Sequence, residues 1–517
     1  MRLTAVILAL GLVSVACASA PIRKTDLALV TTADGRVLEG CYSCLTEARD
    51  TYKRLAVGKA RPILITKLFE THVLVGLREA ELAMDPTESF AAAETLVPEL
   101  PPTYDAKFYL AMARSIPPDY LGTTNAQLSQ WYRRNPTAAA YNSFKSLLQA
   151  GEGSAPFRAY LSASLECLRV FSGRPTLDVP RIPDDVPTIV RYRMGTCPAV
   201  IDTHMQTVVT AVPAFVEAEL FSARLATFRV TAAYVKRLRE ALNAAKERFP
   251  RSPSVTYGLG HLSQTNGDCK AAIRHYEDTI ALTPLHEEAA MQRVICLGHL
   301  GQFVPAIESA TRIIERKYHN YANAYYWRAW NHYQRKDLVA ARADVDASRA
   351  LELNIKVLIL GGMIKYDQRQ LDLAETDLSD AIRMDPRNEQ CIARWYYGLV
   401  AFSREQWPDA AGRFATAGTC YRNSANLARK ELDAMKKADV DEDFRASQII
   451  GFQAAIKEDT DQEQASYLNT ANCYAMAGEI DKAKEWLAKV PADSIHALTA
   501  EQLRKLIGGG GASSGKM

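Results

Sequence analysis

One stretch constrains the chain more than any other. Pro253 to His286 reads PSVTYGLGHLSQTNGDCKAAIRHYEDTIALTPLH. Leu259-Gly260, Gly267, Ala272, Tyr276 and Pro284 fall where a 34-residue helix-turn-helix unit needs them. Gly260 and Ala272 are small, as two closely crossing helices require. Gly267 permits the turn between them. Tyr276 is sized to pack towards a following unit, and Pro284 ends the second helix because it lacks an amide donor. A unit of this kind cannot bury its apolar face alone, so neighbours must stack on it.

The same spacing recurs downstream. A unit from about Glu287 keeps Gly301 and Ala306. One around Tyr321 to Asn354 ends in RALELN, with a slip of one or two residues between its helices. A fourth keeps Gly362, Ala374, Leu378, Ala381 and Pro386. A fifth keeps Gly398, Ala410, Phe414 and Ala417. A last unit, about Gln464 to Val490, carries Tyr474, Gly478, Ala483 and Leu487. This pattern resembles the tetratricopeptide repeat (TPR) superfamily, and specifically exported bacterial TPR proteins. The resemblance is strong over 253–420 and 464–490, weaker over 213–252, and only architectural before that. It implies an all-α solenoid that displays a concave surface to a peptide or protein partner and has no built-in chemistry. No subfamily is matched residue by residue. The chaperone-binding type clamps a carboxylate with basic residues and Asn, whereas Tyr257 and His261 stand at the corresponding positions here.

Reading the whole chain gives an export signal over 1–20, a tether over 21–39, and degenerate helical hairpins over 40–171. A Pro-rich linker follows at 172–188, then a degenerate helical repeat over 189–252. The regular array covers 253–420, charged helices 421–463, a terminal repeat and cap 464–507, and a disordered tail 508–517. No stretch alternates convincingly as a strand. The chain has 517 residues, too long for one compact core. Its 62 basic and 59 acidic side chains nearly cancel, which gives no reason to expect nucleic acid as partner.

The start is a short charged n-region at Arg2, an apolar run from Ala5 to Val15 and then small residues, the layout of an export signal. Ser14-Val15-Ala16-Cys17 resembles a bacterial lipobox, which implies lipidation of Cys17 and membrane contact through that anchor alone. Ala18 after the cysteine implies sorting to an outer membrane. The alternative is ordinary cleavage after Ala18 or Ala20.

By the resemblance, positions 2, 5, 9 and 12 of each first helix face the groove. Over the five units this yields Tyr257, His261 and Gln264; Met291 and Ile295; Tyr326, Trp330 and Tyr333; Met363 and Tyr366; Trp395, Leu399 and Phe402. Such an aromatic and methionine stripe suits an apolar peptide or amphipathic helix. The blander reading is that the stripe is core, or that the protein's own helices fill the groove. A third reading has the cluster Tyr325-Tyr326-Trp327 with Trp330 stacking on sugar rings of a glycan.

Cys41-Tyr42-Ser43-Cys44 forms a CxxC. A redox pair at a helix N-terminus is one reading, but no thioredoxin-like context surrounds it, and a structural disulfide or buried thiols is favoured. Cys269 and Cys296, in adjacent repeats, are a candidate bridge. The nine histidines show no metal-binding spacing, and no phosphate loop or nucleophile elbow occurs. No cofactor, metal or enzymatic activity is expected. The function expected is an exported scaffold binding an envelope protein.

Overall fold

The structure is a computed structural model. It describes residues 22–81, 84–115, 136–171 apart from 152 and 154, 207–208, and 232–508 apart from 249, 252, 285 and 317–320. The export signal with Cys17, the Pro-rich linker and residues 509–517 of the tail lie outside the described residues. Every regular element among the described residues is a helix. The chain divides into two units, one ending at Arg114 and one beginning at Ser115.

The first unit is built from successive antiparallel helices: α1 (Lys24–Glu39), α2 (Tyr42–Leu55), α3 (Arg61–Glu81) and α4 (Thr87–Leu96), with α5 (Ala106–Ser115) closing it. The stretch expected to be a tether is thus mostly helix α1. Val30 and Ala33 bury against Ala48, Tyr52, Leu55 and Leu64, which gives the segment a core to join. Gly40, at φ 69°, ends it in the left-handed conformation that glycine adopts without strain. Gly76 of α3 lies directly beneath the Phe90 ring, 2.7 Å from where a Cβ would sit.

The first described helices wholly within the second unit are the pair α6 (Pro136–Gln149) and α7 (Ala155–Phe171), and α8 (Ala232–Arg248) precedes the array. The array consists of α9 (Pro253–Thr265), α10 (Cys269–Leu282), α11 (Glu287–His299), α12 (Phe303–Glu315), α13 (Tyr321–Gln334), α14 (Leu338–Leu351), α15 (Ile355–Asp367), α16 (Leu371–Arg383) and α17 (Cys391–Ser403). Each packs on its predecessor and successor. The second helices start on side-chain caps where the sequence provides one: Asp268 and Asp337 accept from Ala271 and Ala340 amides. The turn between first and second helices needs a positive φ once per unit. Glycine supplies it at Gly267 and Gly301, while Lys336, Arg369 and Glu405 adopt it in the next three units.

Small residues let the paired helices cross. An added Cβ at Gly260 would meet Tyr276 at 2.7 Å, at Gly362 it would meet Leu378 at 2.6 Å, and at Gly398 it would meet Phe414 at 2.7 Å. Tyr276 therefore packs within its own unit as well as against Ala289 and Cys296 of the next. Ion pairs tie helices across the array. Arg328 grips Asp344 with two bonds of 2.8 and 2.6 Å, and buried Asp377 takes both Lys365 and, at 2.7 Å, Arg349.

The expected charged helices over 421–463 are not separate elements. α18 runs from Trp407 to Lys437 and α19 from Glu442 to Met476. Neither contains an interior proline, and the polar run KEDTDQEQ is helical rather than a loop. α20 (Ile480–Leu487) and α21 (Ala497–Gly508) complete the unit. α19 returns across the array. Near its start, Asp443 pairs with Arg239 of α8 at 3.1 Å, and Ser447 touches the turn at Gly267.

Candidate functional site

The expected stripe divides in two. Met291, Tyr333 and Met363 are buried. Met291 packs among Val294, Leu297, Ala306 and Ile313, while Tyr333 and Met363 belong to the large core around Val357 and Leu378. These three are corrected from groove contacts to core. Side chains at their positions fill the space between neighbouring helices, where an unbranched thioether or a ring packs well. Tyr257, His261, Gln264, Ile295, Tyr326, Trp330, Tyr366, Trp395, Leu399 and Phe402 are half-buried.

Their surroundings differ from unit to unit. In the first, Tyr257 stacks 6.1 Å from His261 and 4.9 Å from the His286 ring. Gln264 is absorbed into a polar chain: it accepts from the Tyr276 hydroxyl at 2.5 Å and donates to Gln292 at 2.9 Å. In the third to fifth units the first helices α13, α15 and α17 share one aromatic face. Tyr326, Trp330 and Tyr366 pack on the core around Val357 and Leu378 and stay partly exposed. The Tyr333 and Tyr396 hydroxyls are 3.2 Å apart, and Tyr366 meets Tyr396 edge-on at 5.5 Å. Tyr396 thus joins three units, although the position rule passes over it. Its neighbour Trp395 marks the place, since two consecutive aromatics on a first helix cannot both face its own partner helix. Burial raises the phenol pKa of Tyr326 and Tyr396 above the ordinary range, so both stay neutral donors.

At the fifth unit the face meets the C-terminal hairpin. Trp395 packs edge-on to Phe414 at 5.2 Å. Its other side lines a cavity of about 550 Å³ with Ala454, Lys457, Glu458 and Asp461 of α19 and with His496. A second cavity of about 670 Å³ opens where α19 meets α8 and α9, beside Arg239, Leu262 and Asp443. From Ser447 to Asp461 one helix spans about 21 Å at 1.5 Å per residue. α19 therefore bridges the first repeat of the array and the fifth. The Tyr325-Tyr326-Trp327 cluster offers no bare platform: Arg328 sits over the Tyr325 ring at 5.4 Å, and Trp327 packs edge-on against His299.

Among the described residues the cysteines pair as Cys41–Cys44, Cys269–Cys296 and Cys391–Cys420. The first two were expected, and the third was not. In an antiparallel hairpin the start of the first helix lies beside the end of the second, which is where Cys391 and Cys420 stand. Cys473 is free and buried, and burial pushes its thiol pKa up to about 12. Glu39, Cys41 and Cys44 place three potential ligand atoms within 4.8 Å of one another.

A linear array of antiparallel helix pairs, with small residues at the crossings and a shared face on its first helices, defines an α-solenoid scaffold. Residues 360–424 match the family described as tetratricopeptide repeat, and the repeat geometry extends from there to Pro253. That segment match supports membership of the tetratricopeptide-repeat superfamily. No curated protein matches the sequence. Among solved structures it is similar to YrrB, described as a TPR protein with an unusual peptide-binding site (15% identity, 51% of this chain and 98% of that one, TM-score 0.25). It is similar also to a tetratricopeptide repeat protein from Parabacteroides merdae (14% identity, 49% and 98%, TM-score 0.31) and to yeast Tom70 (13% identity, 94% and 96%, TM-score 0.32). Proteins of this superfamily serve as scaffolds for protein partners. No described helix is long and apolar enough to cross a membrane.

Proposed function

We propose that this protein is an exported scaffold that holds an apolar peptide or amphipathic helix of an envelope protein against the aromatic face of its third to fifth units. The observation that carries the reading is the position of Tyr326, Trp330 and Tyr366. All three pack against one core, that around Val357 and Leu378, and all three remain partly exposed. Large rigid aromatics in that setting supply binding area at low entropic cost. Three disulfides among the described residues support an oxidising compartment, hence export. Anchoring through a lipid on Cys17 completes the proposal. It predicts that the protein partitions into detergent and that Cys17→Ser releases it; a mature chain beginning at Ser19 or Pro21 would refute the anchor. The groove is tested by crosslinking in the cell envelope, where Trp330→Ala removes the captured partner.

A second reading, a solenoid packed on itself without a ligand, gains one observation: α19 already faces Trp395. It is distinguished by the unchanged yield of crosslinked partner that it predicts for Trp330→Ala.

A further inference from the structure

The Cys41–Cys44 bond does something different from the other two. Cys269–Cys296 ties α10 to α11, and Cys391–Cys420 ties α17 to α18. A disulfide stabilises mainly by constraining the unfolded chain, and less so the shorter the loop it closes. Cys41 and Cys44 are three residues apart, with Cα atoms 5.0 Å apart. The first turn of α2 already holds them together, so the bond adds little as a staple.

We propose that Cys41–Cys44 is a thiol–disulfide exchange site acting on dithiols of a partner protein, with Cys41 as the attacked sulfur. Cys41 is the N-cap of α2, where the helix dipole favours a thiolate. The Cys44 amide donates to Cys41 Sγ at 3.1 Å, and Ser43 Oγ lies 3.3 Å from the same sulfur. Cys41 is 8% exposed and Cys44 0%, so Cys41 is the more accessible of the two. Behind the buried sulfur, Glu39 Oε2 lies 3.0 Å from Cys44 Sγ. Arg36 fixes that carboxylate with bonds of 3.0 and 2.9 Å.

The chemistry closes on these groups. A substrate thiol attacks Cys41 Sγ; the Cys41–Cys44 bond breaks and a mixed disulfide forms. The substrate's proton ends on Cys44 sulfur, whose S–H then donates to Glu39. The second substrate thiol attacks the mixed disulfide, forming the substrate disulfide and releasing Cys41 as a thiol. Two electrons pass from substrate to the pair, and a small-molecule disulfide re-forms the protein bond by the reverse exchange. Reduced and oxidised glutathione serve as probes of both halves.

The test is alkylation and peptide mapping of the folded full chain in glutathione buffers. Cys41–Cys44 should open while Cys269–Cys296 and Cys391–Cys420 stay closed. Cys44→Ser should trap glutathione on Cys41, whereas Cys41→Ser should leave Cys44 unmodified. Glu39→Gln should slow opening several-fold with an unchanged melting temperature. A pair that stays closed in the folded wild-type protein under millimolar dithiothreitol overturns the proposal without any variant. So does a folded Cys44→Ser protein that takes up no glutathione.

Discussion

At the helix crossings one hydrogen atom decides the fit. Leucine at Gly260 would have to displace the Tyr276 ring, which is fully buried. Overpacking of this kind costs about 1–3 kcal/mol, occasionally more. Gly412 is the control: it is helical, and an added Cβ meets nothing within 4 Å. Gly412→Ala should stabilise by about 0.4–1 kcal/mol through the unfolded chain. Thermal unfolding of both variants checks the pair of signs; equal melting temperatures would mean that the crossing is not at Gly260. These crossings were legible in the sequence because a missing side chain in a periodic frame has few explanations. Tyr396 was not, since a position rule names the residues that face a groove and is silent on those that turn sideways to a neighbour.

A second residue-scale prediction concerns His72 of α3. Burial, reinforced by the nearby charges of Arg49 and Lys53, lowers its pKa from 6.5 to about 4. The unfolded chain thus binds a proton between pH 6.5 and 4 that the folded chain refuses. By linkage, stability contributed by neutral His72 is present above pH 6.5 and is lost as pH falls towards 4. His72→Gln should flatten that part of the profile in thermal melts across the range. An unchanged slope would show that other groups set it.

At the scale of elements, the Cys391–Cys420 bond closes a loop of sequence separation 29 between α17 and α18. Replacing both cysteines by alanine should cost about 3–4 kcal/mol by the chain-entropy account. Calorimetry under non-reducing conditions measures it, and a loss below about 1 kcal/mol would contradict that account. Elements that carry the repeat spacing, α9 to α17, were readable because glycine, proline and capping residues punctuate them. α1 was missed because its buried face is only Val30 and Ala33, too few for a periodic signal. α19 runs on for the opposite reason: KEDTDQEQ is polar and reads as a break, yet it has no glycine or proline and nothing in it stops a helix.

At the scale of the whole molecule, the second unit is more than a row of repeats. α19 starts beside α8 and the first repeat, at Arg239 and Gly267, faces Trp395 midway and ends against the fifth repeat. The sequence could not show this return, since nothing local in α19 encodes its contacts some 200 residues away. The consequence for function is a division of labour among the aromatics. Trp395, set against Phe414 and the core around Ala401 and Ala410, is there to hold the fold. Trp330, packed on the core around Val357 and Leu378 and partly exposed, is the residue assigned to the partner in the proposed function. Partner capture and melting temperature, measured together on Trp330→Ala and Trp395→Ala, test this most directly. Trp395→Ala should lose about 3–5 kcal/mol of stability. Trp330→Ala should lose capture, by about 2 kcal/mol or more in binding, with a much smaller change in melting temperature. Capture retained in Trp330→Ala, or an equally large fall in melting temperature in both variants, would contradict it.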